Sequence, residues 1–90
     1  MDVSERSSLL EFPCSFRIKV MGKAEEGFEE LVVGIVARHV GELDEHAVKS
    51  RPSRKGSYVS ITVTFTATSR AQLDDLYREL SANERVSVVL

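Results

Sequence analysis

The sequence predicts an α+β sandwich in which a four-stranded antiparallel sheet carries two helices on one face. Three observations lead there. The hydrophobic period switches between two and 3.6 in the order strand, helix, strand, strand, helix, strand. The segment between the second and third strands has hairpin chemistry. Ninety residues at 10.0 kDa suffice for one small core but not for two.

The elements follow in order. Phe16, Ile18 and Val20 alternate with Arg17, Lys19 and Met21, which is a strand covered on one side. After Gly22, the residues Phe28, Leu31, Val32, Ile35, Val36 and His39 keep helical spacing, with Glu25, Glu26, Glu29 and Glu30 in the first turns, where the dipole favours anions. Gly41 suits a left-handed C-terminal cap. A short strand over Ala47–Ser50, with Val48 inward, precedes the turn-forming run Arg51-Pro-Ser-Arg-Lys-Gly56. The longest strand, Ser57–Thr68, sets Val59, Ile61, Val63, Phe65 and Ala67 against Tyr58, Ser60, Thr62, Thr64 and Thr66. Ser69 with Gln72 forms a capping box ahead of a second amphipathic helix marked by Leu73, Leu76, Tyr77 and Leu80. That helix ends near Asn83, a candidate for the left-handed conformation, and Arg85–Leu90 closes the sheet.

Two split βαβ units with right-handed crossovers make the ferredoxin-like βαββαβ arrangement. Alternation then leaves a second, uncovered sheet face of Arg17, Lys19, Met21, Tyr58, Ser60, Thr62, Thr64, Thr66, Ser87 and Val89. Residues 1–13 read as a tail and lead-in, its first eight residues frayed, and 14–90 as the single domain.

Composition excludes several classes. At 42% apolar and 29% charged, the chain is an ordinary globular sequence. A net charge of −2 argues against general nucleic-acid binding. No export signal, no apolar run near the roughly 18 residues of a membrane span and a lone Cys14 point to a reduced, cytoplasmic setting without membrane contact.

No catalytic constellation stands out. Cys14 has no neighbouring His to activate it, and His39 and His46 lack metal-ligand spacing. The paired glutamates flank an apolar stripe on its solvent side, so they read as a solvated face. An acylphosphatase-like anion loop would need an Asn, and Asn83 sits at the far end of the second helix. Base stacking of the kind used by RNA-binding sheets needs central aromatics, where this face has Ser and Thr. Catalytic residues, metal ligands and cofactors are therefore not expected.

The distribution of charge says more than its sum. Residues 46–73 hold five cations and no acid, while the rest of the chain holds seven cations against fourteen acids. Lys49, Arg51, Arg54 and Lys55 cluster at the hairpin, and Arg17 and Lys19 lie on the same open face. Such a patch suits a small anionic ligand or an acidic protein partner. The loop between Gly22 and Gly27 could present amides to an anion, against the glutamates that already occupy that helix end.

The runs Leu10-Glu-Phe-Pro13, Phe16-Arg-Ile-Lys-Val-Met-Gly22, Ser53-Arg-Lys-Gly-Ser-Tyr58 and Val88-Val-Leu90 resemble the small bacterial family typified by YbeD. The resemblance implies a ferredoxin-like fold similar to the ACT-type regulatory domains that sense amino acids, a cytosolic location and no assigned enzyme activity. It brings Lys19, Met21, Gly22, Lys55, Gly56 and Tyr58 together as motif residues. The expectation is a non-catalytic regulatory or adaptor domain whose binding residues are Lys19, Met21, Gly22, Lys49, Arg51, Arg54, Lys55, Gly56 and Tyr58. The alternative is a homo-oligomerisation module, such as a homodimer, and a small enzyme is the remote third.

Overall fold

The structure, a computed structural model, describes residues 11–90. The frayed tail expected over residues 1–8 lies outside the described residues. Strand β1 runs Cys14–Lys23, helix α1 Phe28–Val40, strand β2 Val48–Pro52, strand β3 Tyr58–Ala67, helix α2 Arg70–Ala82 and strand β4 Val86–Val89, with a 3-10 turn at Glu45–Ala47 ahead of β2. The sheet order is β2-β3-β1-β4, antiparallel throughout, so the α+β, ferredoxin-like expectation holds. Among the described residues no helix is long and apolar enough to cross a membrane.

The period-two pattern works as read. Ile18 and Val20 of β1 and Ile61 and Val63 of β3 are fully buried, facing Phe28, Val32, Ile35 and Val36 of α1 and Leu73, Leu76 and Leu80 of α2. Phe16 joins this core near its edge, against Phe65 and, edge-on, Tyr77. Ser69 caps α2 by accepting from the Gln72 N–H at 3.1 Å, and the Gln72 side chain accepts from the Thr68 N–H at 2.8 Å. The first bond satisfies a donor that a helix start would otherwise leave open, while the second reaches one residue before the N-cap N–H that a capping box engages.

Several local expectations are corrected. Strand β1 does not stop at Met21; it continues through Gly22 to Lys23, pairing with Val59 and Tyr58. Gly22 keeps the inward parity of Val20, and the Phe28 ring fills the space a side chain would take: an added Cβ would lie 2.6 Å from that ring and 2.5 Å from the Arg85 carbonyl oxygen. Helix α1 starts at Phe28, with Gly27 as N-cap at φ 84°, so only Glu29 and Glu30 are in its first turn and Glu25 and Glu26 precede it. Gly41 takes a positive φ of 90° but ψ of −167°, not the left-handed helical well. Asn83 is extended, at φ −81° and ψ 125°. Strand β2 begins one residue later and ends two residues later than read, which moves Arg51 out of the hairpin and into the sheet.

Strand β4 departs from simple alternation. It pairs Val89 with Val20 and Val88 with Met21, then skips to pair Val86 with Gly22. This bulge turns both Val86 and Val89 toward the core and leaves Ser87 and Val88 outside, so Val89 is not on the open face as expected.

Two long-range clamps complete the scaffold. The Arg85 guanidinium donates to the Glu26 carbonyl oxygen at 3.0 Å, approaches Glu25 Oε1 at 4.0 Å and lies 5.9 Å from the centre of the Phe28 ring. Glu79 of α2 receives Arg38 and, at 2.7 Å, His39 Nε2 from the last turn of α1, while Gln72 donates to the His39 carbonyl. His39 thus sits in the last turn and partly buried, as its place on the stripe implied.

Candidate functional site

The uncovered sheet face is built by strand register. Lys49 of β2 and Lys19 of β1 both pair with Thr62 of β3, so the two ammonium stems flank one threonine. Arg51 pairs with Ser60 one step along β3, and Arg17 with Thr64 one step the other way. The four cations therefore stand around Thr62, two on each neighbouring strand. With same-face residues about 6.7 Å apart along a strand and strands about 4.8 Å apart, the cationic rows on β1 and β2 are about 10 Å apart across β3.

These residues border a shallow depression of about 560 Å³, lined by Arg17, Lys19, Lys49, Arg51, Ser60, Thr62 and Leu90. Leu90 reaches it because its backbone continues the β4 pairing, exchanging two hydrogen bonds with Lys19 at 3.1 and 2.8 Å. No Asp or Glu of the described strands lies on this face. The ion pairs among the described residues engage Arg38, His39, His46, Arg70, Arg78 and Arg85, all away from the face. None of Arg17, Lys19, Lys49 and Arg51 has an acidic partner among the described residues. All four side chains are exposed, so their charges act on solvent and on whatever approaches.

A second, smaller hollow of about 130 Å³ adjoins the first and shares Arg51 and Ser60 with it. Its walls are mainly apolar: Met21, Pro52, Tyr58 and Val59. Tyr58 is 47% exposed although large and aromatic. The hairpin holds it in place, since its N–H donates to Ser53 Oγ at 3.1 Å and its carbonyl accepts from the Ser53 N–H at 2.8 Å.

Of the residues singled out from the sequence, Lys19, Met21, Lys49, Arg51 and Tyr58 come together on this face. Arg54, Lys55 and Gly56 sit at the exposed hairpin tip, Gly56 at φ 74°, and line neither hollow. Gly22 is on the covered side, under Phe28. Arg17, Ser60 and Thr62, which alternation had already placed on the open face, line the depression although they were not among the expected binding residues. Arg51 joins the depression only because β2 is longer than the sequence suggested.

The arrangement can attract, orient and hydrogen-bond an anion. It holds no thiol or base: Cys14 lies half-buried at the start of β1, paired with Ala67, and no side-chain partner of its thiol occurs among the described residues. No group of three or more potential metal ligands occurs among the described residues.

Comparison with known proteins places the chain among small bacterial proteins. A family model described as "Protein of unknown function (DUF493)" matches residues 7–90. A "UPF0250 protein" of Paraburkholderia phytofirmans is 49% identical over 87 residues, covering 97% of this chain and 98% of that protein. The "UPF0250 protein NE1487" of Nitrosomonas europaea is 45% identical over 83 residues, covering 92% and 95%. The solution structure of protein HP0495 from H. pylori superposes with a TM-score of 0.68 at 12% identity, covering 100% of this chain and 94% of that one. That likeness speaks to the fold alone.

Proposed function

The chain belongs to the DUF493 family of small bacterial proteins, and on that footing we propose that it is a non-catalytic regulatory or adaptor module that binds an anionic partner through the open face of its sheet. The observation that carries this reading is the set of four exposed cations around Thr62 with no acidic partner among the described residues. On the helices and ahead of β4, Arg38, Arg70, Arg78 and Arg85 are engaged by carboxylates or carbonyls. On this face the cations are left to the solvent, where a local positive potential persists although the whole chain is slightly acidic. Self-association through the same face is disfavoured, because a second copy would set cations against cations.

The test is a titration of the isotope-labelled chain with poly-glutamate, read from backbone amide shifts. Shifts at Lys19, Thr62, Lys49 and Arg51 are expected at ~0.1 M salt and should fade toward ~1 M, as the Debye length shrinks from about 10 to 3 Å. Shifts confined to other surfaces, or none at all, would overturn the reading.

A further inference from the structure

We infer that the occupant of this face is an extended acidic segment of another protein that carries one bulky apolar side chain beside its acidic run; the inference rests on the anion-binding reading above. Two independent features of the face meet in it.

The first is the spacing of the cations. With strands about 4.8 Å apart and same-face residues about 6.7 Å apart, Arg17 and Arg51 are about 16 Å apart on the diagonal through Thr62. An extended chain advances about 3.3 Å per residue, so five residues span that diagonal. Laid along β3, such a segment sends alternate side chains toward β1 and β2, where Arg17 and Lys19 stand on one side and Lys49 and Arg51 on the other. Ser60 and Thr62 provide hydroxyls beneath its backbone.

The second is the apolar hollow at one end. Met21 and Tyr58 of the open face, with Pro52 and Val59 at the neighbouring inward-parity positions, border an open hollow of about 130 Å³. Being open, it would cover a side chain in part rather than close around it. Because Arg51 and Ser60 border both hollows, a side chain seated here is continuous with the acidic run on the cations.

The same features select against other anions. A nucleic-acid strand would find one ring, Tyr58 at the end of the face, and none for its next bases, since the floor of the depression is Ser60 and Thr62. A lone small anion would be contacted from one side only on an open sheet, whereas good small-ligand sites enclose most of the ligand surface. A multivalent segment gains from several modest contacts at once.

The experiment titrates the full chain with four probes: a labelled peptide of glutamates with a phenylalanine at one end, the same peptide with serine in its place, oligo-uridine and inorganic tripolyphosphate. The phenylalanine is tried at either end of the peptide. The phenylalanine peptide is expected to bind roughly fivefold to tenfold more tightly than the serine one, as partial burial of one ring requires. Met21 and Tyr58 amides should respond more strongly to it than to the serine peptide. In Tyr58→Ser the ratio of the two affinities should fall toward one. Replacing Lys49→Gln and Arg51→Gln together should weaken both peptides severalfold without erasing the ratio. Equal affinities in the parent chain overturn the apolar anchor. Tighter binding of oligo-uridine or tripolyphosphate than of either peptide overturns the protein segment but leaves the anion face standing. Silence of Lys19, Thr62 and Lys49 with all four probes takes down both readings.

Discussion

Replacing Gly22 with alanine separates a packing glycine from a ligand-loop glycine. The added methyl would meet the Arg85 carbonyl oxygen at 2.5 Å and the Phe28 ring at 2.6 Å, where ordinary contact begins near 3.4 Å. Something must therefore move by about 0.9 Å, and neither obstacle is a free side-chain end. The carbonyl belongs to the backbone entering β4, and Phe28 is a buried ring on which Arg85 rests. Overpacking of this kind costs about 1–3 kcal/mol, and two constrained neighbours put it in the upper part of that range, about 2–3 kcal/mol. Alanine also restricts the unfolded chain, which returns about 0.5–1 kcal/mol. The net loss is about 1–2.5 kcal/mol. In urea, with a slope of about 1 kcal/mol/M for so small a chain, the midpoint should fall by about 1–2.5 M. Gly34→Ala is the matched control: it lies inside α1, its Cβ would meet nothing within 4 Å, and it should raise stability by about 0.5–1 kcal/mol. A Gly22→Ala chain as stable as the parent would refute the reasoning. So would a folded variant that lost poly-glutamate binding, since Gly22 would then belong to the ligand.

The remaining predictions concern charges and caps. Lys19→Gln with Lys49→Gln should leave the urea midpoint unchanged or slightly higher, while poly-glutamate affinity falls severalfold and its salt dependence becomes shallower; a destabilised double variant would mean these lysines support the fold. Ser69→Ala should cost about 1 kcal/mol by removing the acceptor for the Gln72 N–H, read by thermal unfolding in circular dichroism. Glu79→Gln should cost no more than about 1 kcal/mol, because the carboxylate shared by Arg38 and His39 is 36% exposed, and the difference from the parent should shrink as salt is added.

The sequence was most informative where one local rule governed. Alternation of Val59, Ile61, Val63 and Phe65 identified β3 and its buried face, and Ser69 with Gln72 marked the start of α2 within one residue. It was least informative where a distant residue decided the outcome. Gly22 looks like a strand terminator until Phe28, six positions later, is folded back over it. Asn83 has the composition of a left-handed cap, yet its side chain accepts from the Arg85 N–H at 2.9 Å in an extended turn. The bulge in β4 inverted Val89 because pairing partners on β1, not periodicity within Val86–Val89, set which way each residue points. The Glu79 clamp joins residues some forty positions apart, and no spacing rule reaches that far. As for the candidate site, the open face and its lysines were legible from parity. The gathering of Arg51 with Lys49 and Lys19 around Thr62 needed the register of three strands.

Cost and benefit on that face differ in scale, and the difference bears on why four like charges stand there. Two unit charges about 7 Å apart in water repel by about 0.6 kcal/mol, and screening at physiological salt reduces this to roughly 0.25 kcal/mol. Arg17 beside Lys19 and Lys49 beside Arg51 are such pairs, so the fold tolerates the cluster at a small fraction of the stability of an ordinary domain. Stability alone would nonetheless favour the opposite choice, since cross-strand neighbours of opposite charge attract. The chain does place acids beside cations on its helices, between the two at Glu79 with Arg38 and His39, and within α2 at Asp74 with Arg70 and Asp75 with Arg78. Its strands withhold them from the one surface the helices leave uncovered. A carboxylate arriving from outside would then meet two rows of cations at once, and each contact it made would relieve repulsion within a row as well as add attraction across it.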